Sequence, residues 1–251
     1  MPTTFFDLPR ELRDEISHWV WLEIPVITLQ NTDVVKMSAW YNCSPPFPQY
    51  NPGPSLYQNL HRWLRTSTRL QEEGIQAFNR RGVVMIRPAT ISAPCFCDLP
   101  ADLSPLAARE IYIFPNVLDN IEKKAGERGI THRYPDFQST YFRKLISDIA
   151  TADRMRVLRI GLHVRGYDDL PHDLDLKPLW IFSDVIKRVE ELEIVVDELL
   201  FYEQARQTFR ASLREEIEKL DGDLMKGFIA TRASDYCIGV GSKCYFIYKR
   251  S

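Results

Sequence analysis

Cys95 and Cys97, together with Cys237 and Cys244, supply the thiolates from which a zinc site would be built. A zinc knuckle sets two sulfurs two residues apart, so that one tight turn presents both to a tetrahedral ion. The C-x-C pair departs from that spacing, and free thiols are expected, with no metal and no cofactor. Cys237 and Cys244 flank a turn and would face each other there as a redox pair, a state that a reducing compartment disfavours. The histidines His18, His61, His132, His163 and His172 are isolated in sequence. His163 sits between Leu162 and Val164, and a general base at that position would draw on Asp168 or Asp169; an imidazole on a sheet face is the plainer expectation. The chain carries no GxSxG elbow, HExxH helix, Walker loop or dinucleotide glycine motif behind a strand. Gly239 and Gly241 have no helix after them to supply phosphate-binding amides, so they mark a turn. Without a nucleophile or a convergent pair, catalysis is not expected.

A second constellation is basic. Arg62, Arg65 and Arg69 recur at i, i+3 and i+7, with Arg80, Arg81 and Arg87 beyond, the spacing of a phosphate-contacting stripe. Lysine and arginine total 32 against 34 acids, a formal charge of -2, so no global field draws nucleic acid or an anionic membrane. Glu72 and Glu73 lie within the stripe, and ion pairing to acidic helix residues is the expected use of these arginines. Apolar residues make up 45% and charged residues 26%, the balance of a globular protein with a real core. Met1-Pro2-Thr3-Thr4 lacks the charged head and apolar middle of a signal peptide, and an odd number of cysteines fits reduced thiols, so cytoplasm or nucleus is expected.

Elements must position whatever these residues do. A first helix is expected from Pro9 to about Leu22, because proline suits a first helical turn and Pro25 forbids continuation. Leu12, Ile16, Trp19 and Val20 form one apolar stripe along it, which amphipathic helices usually bury in their own core. Val26–Leu29 and Val34–Met37 read as a hairpin, and the proline-rich stretch after them as loop. A long helix is expected from Leu56 to Asn79, burying Leu60, Trp63, Leu64, Ser67, Ile75 and Phe78, and "GVVMIRP" then reads as a strand.

Three later stretches share an apolar pattern: Ala108, Ile111 and Ile113; Met155, Leu158, Ile160 and Leu162; Val189, Leu192, Ile194 and Val196. Amphipathic helical stretches from Tyr141 to Ile149 and from Leu179 to Lys187 precede the second and third. Strand, crossover helix and strand is the order of a parallel sheet. The acidic run "DDLPHDLDLK" reads as a charged loop at a strand end, a place where parallel sheets bind ligands. A helix from Phe201 to Leu220 and a C-terminal hairpin complete the chain.

Leu8-Pro9-Arg10-Glu11-Leu12-Arg13-Asp14-Glu15-Ile16 resembles the Leu-Pro-x-Glu-Leu-Arg-Asp-x-Ile opening of the F-box-like proteins of filamentous fungi. Trp63-Leu-Arg-Thr-Ser-Thr-Arg-Leu-Gln-Glu-Glu-Gly-Ile-Gln-Ala-Phe78 is similar to the second block of that family, with Ser67 where cysteine is common and Gly74 in place of alanine. The resemblance implies a substrate-recognition subunit of a cullin-RING (SCF-type) ubiquitin ligase, docking on a Skp-type adaptor through Leu8, Pro9, Leu12 and Ile16 and holding an unknown protein target. The expected fold is α+β or α/β: an F-box-like helical region over residues 1–87, with an inserted hairpin and proline-rich loop, then an irregular leucine-rich-repeat-like sheet-and-helix domain over 88–251. The surface of the sheet and its strand-end loops, including "GYDDLPHDLDL", are the expected target contact.

Overall fold

The computed structural model describes residues 4–23, 26–31, 35–42, 66–88, 105–115, 117–124, 127–166, 170–199, 201, 203–238 and 241–251. The chain is mixed α+β and divides into two compact units, Met1–Ile111 with Asp153–Met155, and Tyr112–Ala152 with Arg156–Ser251. The division falls within a strand, downstream of the 87/88 boundary expected from sequence.

In the first unit, α1 (Arg10–Glu23) is preceded by a 3-10 turn, Phe5–Asp7. Asp7 closes that turn by accepting the backbone N–H of Thr4 at 2.6 Å, which satisfies a donor the turn leaves open. Three strands, β1 (Val26–Asn31), β2 (Val35–Tyr41) and β3 (Gly82–Pro88), pair antiparallel in the order β1-β2-β3. Between β2 and β3 the helix α2 covers Thr68–Arg81. It begins at Ser67, so Ser67 is a half-buried terminal residue and not part of the buried face expected of it. The expected helix from Leu56 to 65, with Leu60, Trp63 and Leu64, lies outside the described residues. Ile75 and Phe78 are buried as their spacing requires, and Phe78 meets Trp21 edge-on at 4.7 Å. Strand β4 (Glu110–Ile113) comes next.

The second unit contains a four-stranded run in the order β7-β9-β11-β10, built from β7 (Val157–Arg165), β9 (Glu191–Leu199), β10 (Phe228–Ile238) and β11 (Gly241–Arg250). Strands β7 and β9 are parallel, as the repeated apolar pattern predicts, but β11 adds to β9 antiparallel. In register, Leu158, Ile160 and Leu162 lie beside Leu192, Ile194 and Val196. Those six, with Met155 and Val189, are all buried, the pattern of strands whose one face is wholly covered. Helix α3 (Thr140–Ala150) and helix α4 (Ser183–Ile186), the latter entered through a 3-10 turn at Lys177–Phe182, supply Phe142, Ile146, Ile149, Phe182 and Val185 to the core. Ser139 caps α3 by accepting the Phe142 N–H at 3.2 Å. Gly161 is required by close approach: any side chain there would overlap the ring of Phe114.

A second sheet, order β5-β6-β8, is formed by β5 (Leu118–Lys124), β6 (Glu127–Arg133) and β8 (His172–Leu174). The acidic run expected to be a loop is thus partly strand. His172, Leu174 and Leu176 alternate inward and are buried, and β8 runs parallel to β6, so the period of two outweighs the run's charge. Asp168 and Asp169 lie outside the described residues. Helix α5 (Glu203–Asp223) packs on β8 with Phe209, Leu213, Ile217 and Leu220 buried.

A polar line runs through this sheet. The Asp119 carboxylate is 2.6 Å from His132 Nδ1, and His132 Nε2 is 3.0 Å from His172 Nδ1, the two rings stacked at 5.2 Å. Burial holds the His132 imidazole below the ordinary histidine pKa of 6.5, against the opposing pull of Asp119. The unfolded chain therefore takes up a proton that the folded protein resists. The stability tied to His132 is complete above pH 6.5 and is lost as the pH falls below it. We expect the thermal midpoint to fall on acidification through this range and His132→Gln to flatten that fall. An unchanged slope in the variant would place the pH sensitivity elsewhere.

Candidate functional site: an outward apolar ridge on the first helix

Helix α1 is held to α2 by charge. Arg13 donates from Nε to Glu73 at 2.8 Å and from its terminal nitrogen to the carbonyl of Leu8 at 2.6 Å, which ties the entry of the helix to α2. Arg10 and Arg69 also approach Glu73, at 3.6 and 3.2 Å. Burial raises the Glu73 carboxyl, but the hydrogen bonds and charges of Arg13, Arg69 and Arg10 outweigh it and leave the pKa below its ordinary value. Asp14 sits between Arg10, at 2.9 Å, and Arg80. Its carboxyl is likewise raised by burial but lowered overall by the two guanidinium groups. Further along, His18 Nδ1 lies 2.9 Å from the Tyr41 hydroxyl and 3.0 Å from Arg81. The inward face ends in Trp21, fully buried, whose indole N–H donates to the carbonyl of Gly74 at 2.9 Å.

This arrangement accounts for three of the six basic residues. Arg69, Arg80 and Arg81 are engaged with Glu73, Asp14 and His18, and Arg69 also lies 4.3 Å over the ring of Phe6. Arg62 and Arg65 lie outside the described residues.

With Arg13, Ser17 and Trp21 turned inward, the apolar stripe faces the other way. Leu12 is 51% exposed, Ile16 39% and Trp19 62%, with Pro9 exposed before them and Val20 half-buried beside them. Positions 9, 12, 16 and 19 succeed one another at helical spacing, so they form a single ridge. Leu8 is half-buried at its start, and Glu11, Glu15 and Glu23 are exposed around it. The expectation that this stripe packs into the protein's own core is corrected: the buried side of α1 is built on an ion pair, a serine and a tryptophan. Of the four expected docking residues, Pro9, Leu12 and Ile16 are exposed, and Leu8 is partly so. Trp19, more exposed than Leu12 or Ile16, belongs with them.

The other candidate groups are dispersed. His163 Nδ1 is 3.3 Å from Asp197 on the neighbouring strand, without hydrogen-bond geometry, and its ring stacks on Phe114 at 5.2 Å. Asp197 also faces Lys243 at 3.4 Å; burial raises its carboxyl, and His163 and Lys243 bring it below the ordinary value. Among the described residues this cross-strand Asp197 is the acid beside His163; Asp168 and Asp169, the acids expected there, lie outside them. Cys244 is buried and donates to Glu198 at 3.0 Å. In the hairpin Cys244 opposes Asp235 and Cys237 opposes Ser242, so the two cysteines are out of register and do not face each other. Cys95 and Cys97 lie outside the described residues. Among the described residues, no three His, Cys, Asp or Glu side chains form a metal-holding group, and no helix is long and apolar enough to cross a membrane.

No protein-family model, curated protein or solved structure matches the chain.

Proposed function

We propose that the protein is a non-catalytic protein-interaction module, in its most concrete form the substrate-recognition subunit of a cullin-RING (SCF-type) ubiquitin ligase, acting in cytoplasm or nucleus. In this reading α1 is the F-box-like element, and a Skp-type adaptor seats on Pro9, Leu12, Ile16 and Trp19. The parallel strands of the second unit are the leucine-rich-repeat-like part that serves target binding. The observation that carries it is the exposure of the ridge while the opposite side of α1 is fixed to α2: an apolar helix face held out to solvent is what helix-in-groove docking uses. The acids around the ridge supply a polar rim, the usual surround of a buried anchor cluster. The mechanism is proximity, with the chain holding a target near the ligase and contributing no bond-making group.

Co-purification tests this. The tagged chain is expected to retain a Skp-type adaptor, and Leu12→Asp with Ile16→Asp is expected to cut retention by at least about tenfold, since each removes an anchor worth roughly 1 to 2 kcal/mol. Both side chains face solvent, so the double variant should melt within a few degrees of the parent. Equal retention by parent and variant, or none by the parent, overturns adaptor docking. In the second of these outcomes the chain is an interaction protein that keeps the fold without the adaptor.

A further inference from the structure

In the second unit, the 3-10 turn Lys177–Phe182 and a shorter one, Pro135–Gln138, border an open hollow of about 680 Å³ together with the first turn of α3. That volume is within the range of sites that take a small ligand or a few side chains. Its apolar lining comes from Phe137, Pro178, Trp180 and Ile181. Trp180 is 45% exposed, whereas Phe137 is buried behind it. Tryptophan standing half out of a shallow hollow is the residue type that most often anchors a partner.

The charges around the hollow are unequally committed. Asp175 accepts the backbone N–H of Lys177 at 3.1 Å and lies 3.9 Å from Arg133. Beyond Asp175 and Lys177 the hollow continues into a second one of about 390 Å³ against α5. There Ser212 donates to Asp173 at 2.9 Å and Lys219 to Glu216 at 2.5 Å. At the Trp180 end, Arg143 and Lys177 line the hollow, both exposed, and neither side chain is ion-paired to a carboxylate among the described residues. An apolar floor with two uncommitted cations on its margin complements an apolar group flanked by negative charge.

We propose that this hollow binds an acidic peptide segment of a partner protein, its aromatic or aliphatic side chain on Trp180 and its carboxylates on Arg143 and Lys177. The proposal rests on the interaction-module reading and assigns the class of target that module holds. The sequence alone places target contact at strand-end loops including residues 166–176; of these, Asp173, Leu174 and Asp175 border the hollows among the described residues.

Fluorescence anisotropy on the full chain tests it. The probe is a short fluorescein-labelled peptide of glutamate and serine carrying two phenylalanines, and its counterpart has glutamine for every glutamate. The acidic peptide is expected to bind at least about tenfold more tightly than the glutamine peptide, and more weakly as salt rises. Trp180→Ala, and Arg143→Glu with Lys177→Glu, should each weaken it by a similar factor, whereas Lys226→Glu, an exposed lysine that lines neither hollow, should leave it unchanged. All these side chains are exposed, so the variants keep the fold; matching melting curves confirm that. Equal binding of the two peptides, indifference to the hollow variants, no binding, or preferential capture of a single-stranded oligonucleotide overturns the proposal. Leu12→Asp with Ile16→Asp, measured alongside, should bind the peptide normally. Adaptor capture without peptide binding removes the hollow and leaves the ligase reading standing, and peptide binding without adaptor capture does the reverse.

Discussion

Glu198→Ala is expected to destabilise the protein by about 3 to 5 kcal/mol, the cost of breaking a buried ion pair from one side. The Glu198 side chain is fully buried, and Arg210 grips it through Nε at 3.0 Å and through a terminal nitrogen at 3.0 Å. Arg206 approaches at 3.6 Å and the Cys244 thiol donates at 3.0 Å. Removing the carboxylate leaves two guanidinium groups, both largely covered, facing a strand position that no longer carries their counter-charge. Chemical denaturation measures the loss, and Arg210→Ala should cost a comparable amount. The double variant should cost clearly less than the two single losses combined, because each change strands the partner that the other removes. Strict additivity would show that the pair is not the source of the effect.

Trp21→Ala is the second large effect, again about 3 to 5 kcal/mol. The side chain has no exposure, lies edge-on to Phe78 at 4.7 Å and donates to the Gly74 carbonyl at 2.9 Å. Alanine leaves a cavity that α1 cannot close, because the ion pairs of Arg13 and Asp14 with α2 fix its distance. Trp21→Phe separates packing from the hydrogen bond: the ring persists, the N–H does not, and a loss of about 1 kcal/mol is expected. A Trp21→Ala protein as stable as its parent would mean that the inward face of α1 is not what anchors it.

How much of this was legible in the residues depends on what periodicity can report. The patterns through Leu158 and Leu192 located β7 and β9, their buried faces and their parallel pairing, because the inward positions as far as Leu162 and Val196 are apolar. The pattern through Val196 extended one step further inward to Glu198, where charge hid the continuation. Its partners Arg206 and Arg210 come next on α5, one helical turn apart, and that i, i+4 pair after an inward acid was the available signal. Strands β5 and β6 were missed because, among the described side chains of β6, only Ile130 is a buried hydrophobe, so no apolar alternation stands out. Three-residue β8 was concealed by Asp173 within it and Asp175 just beyond.

For α1 the stripe was found; amphipathic spacing alone placed it in the core, whereas the family resemblance placed Leu8, Pro9, Leu12 and Ile16 outside it. Apolar spacing says which residues share a face and nothing about what lies opposite. The opposite face here, Arg13, Ser17 and Trp21, is bound by a carboxylate on α2 and a main-chain oxygen, which hydrophobicity does not register. The Trp180 hollow carried less signal still, since its lining comes from two short turns and the start of a helix.

The clasp between Glu198 and α5 also makes the sheet answerable to a helix that lies later in the chain. A nascent or nicked polypeptide ending before Arg206 lacks α5 and β11 together, so Glu198 loses both its guanidinium partners and the elements that cover it, and the edge of β9 is left open to water. Products shortened in that way would be loosened from within and open to degradation, so the last helix acts as a seal that only a chain carried past it can set.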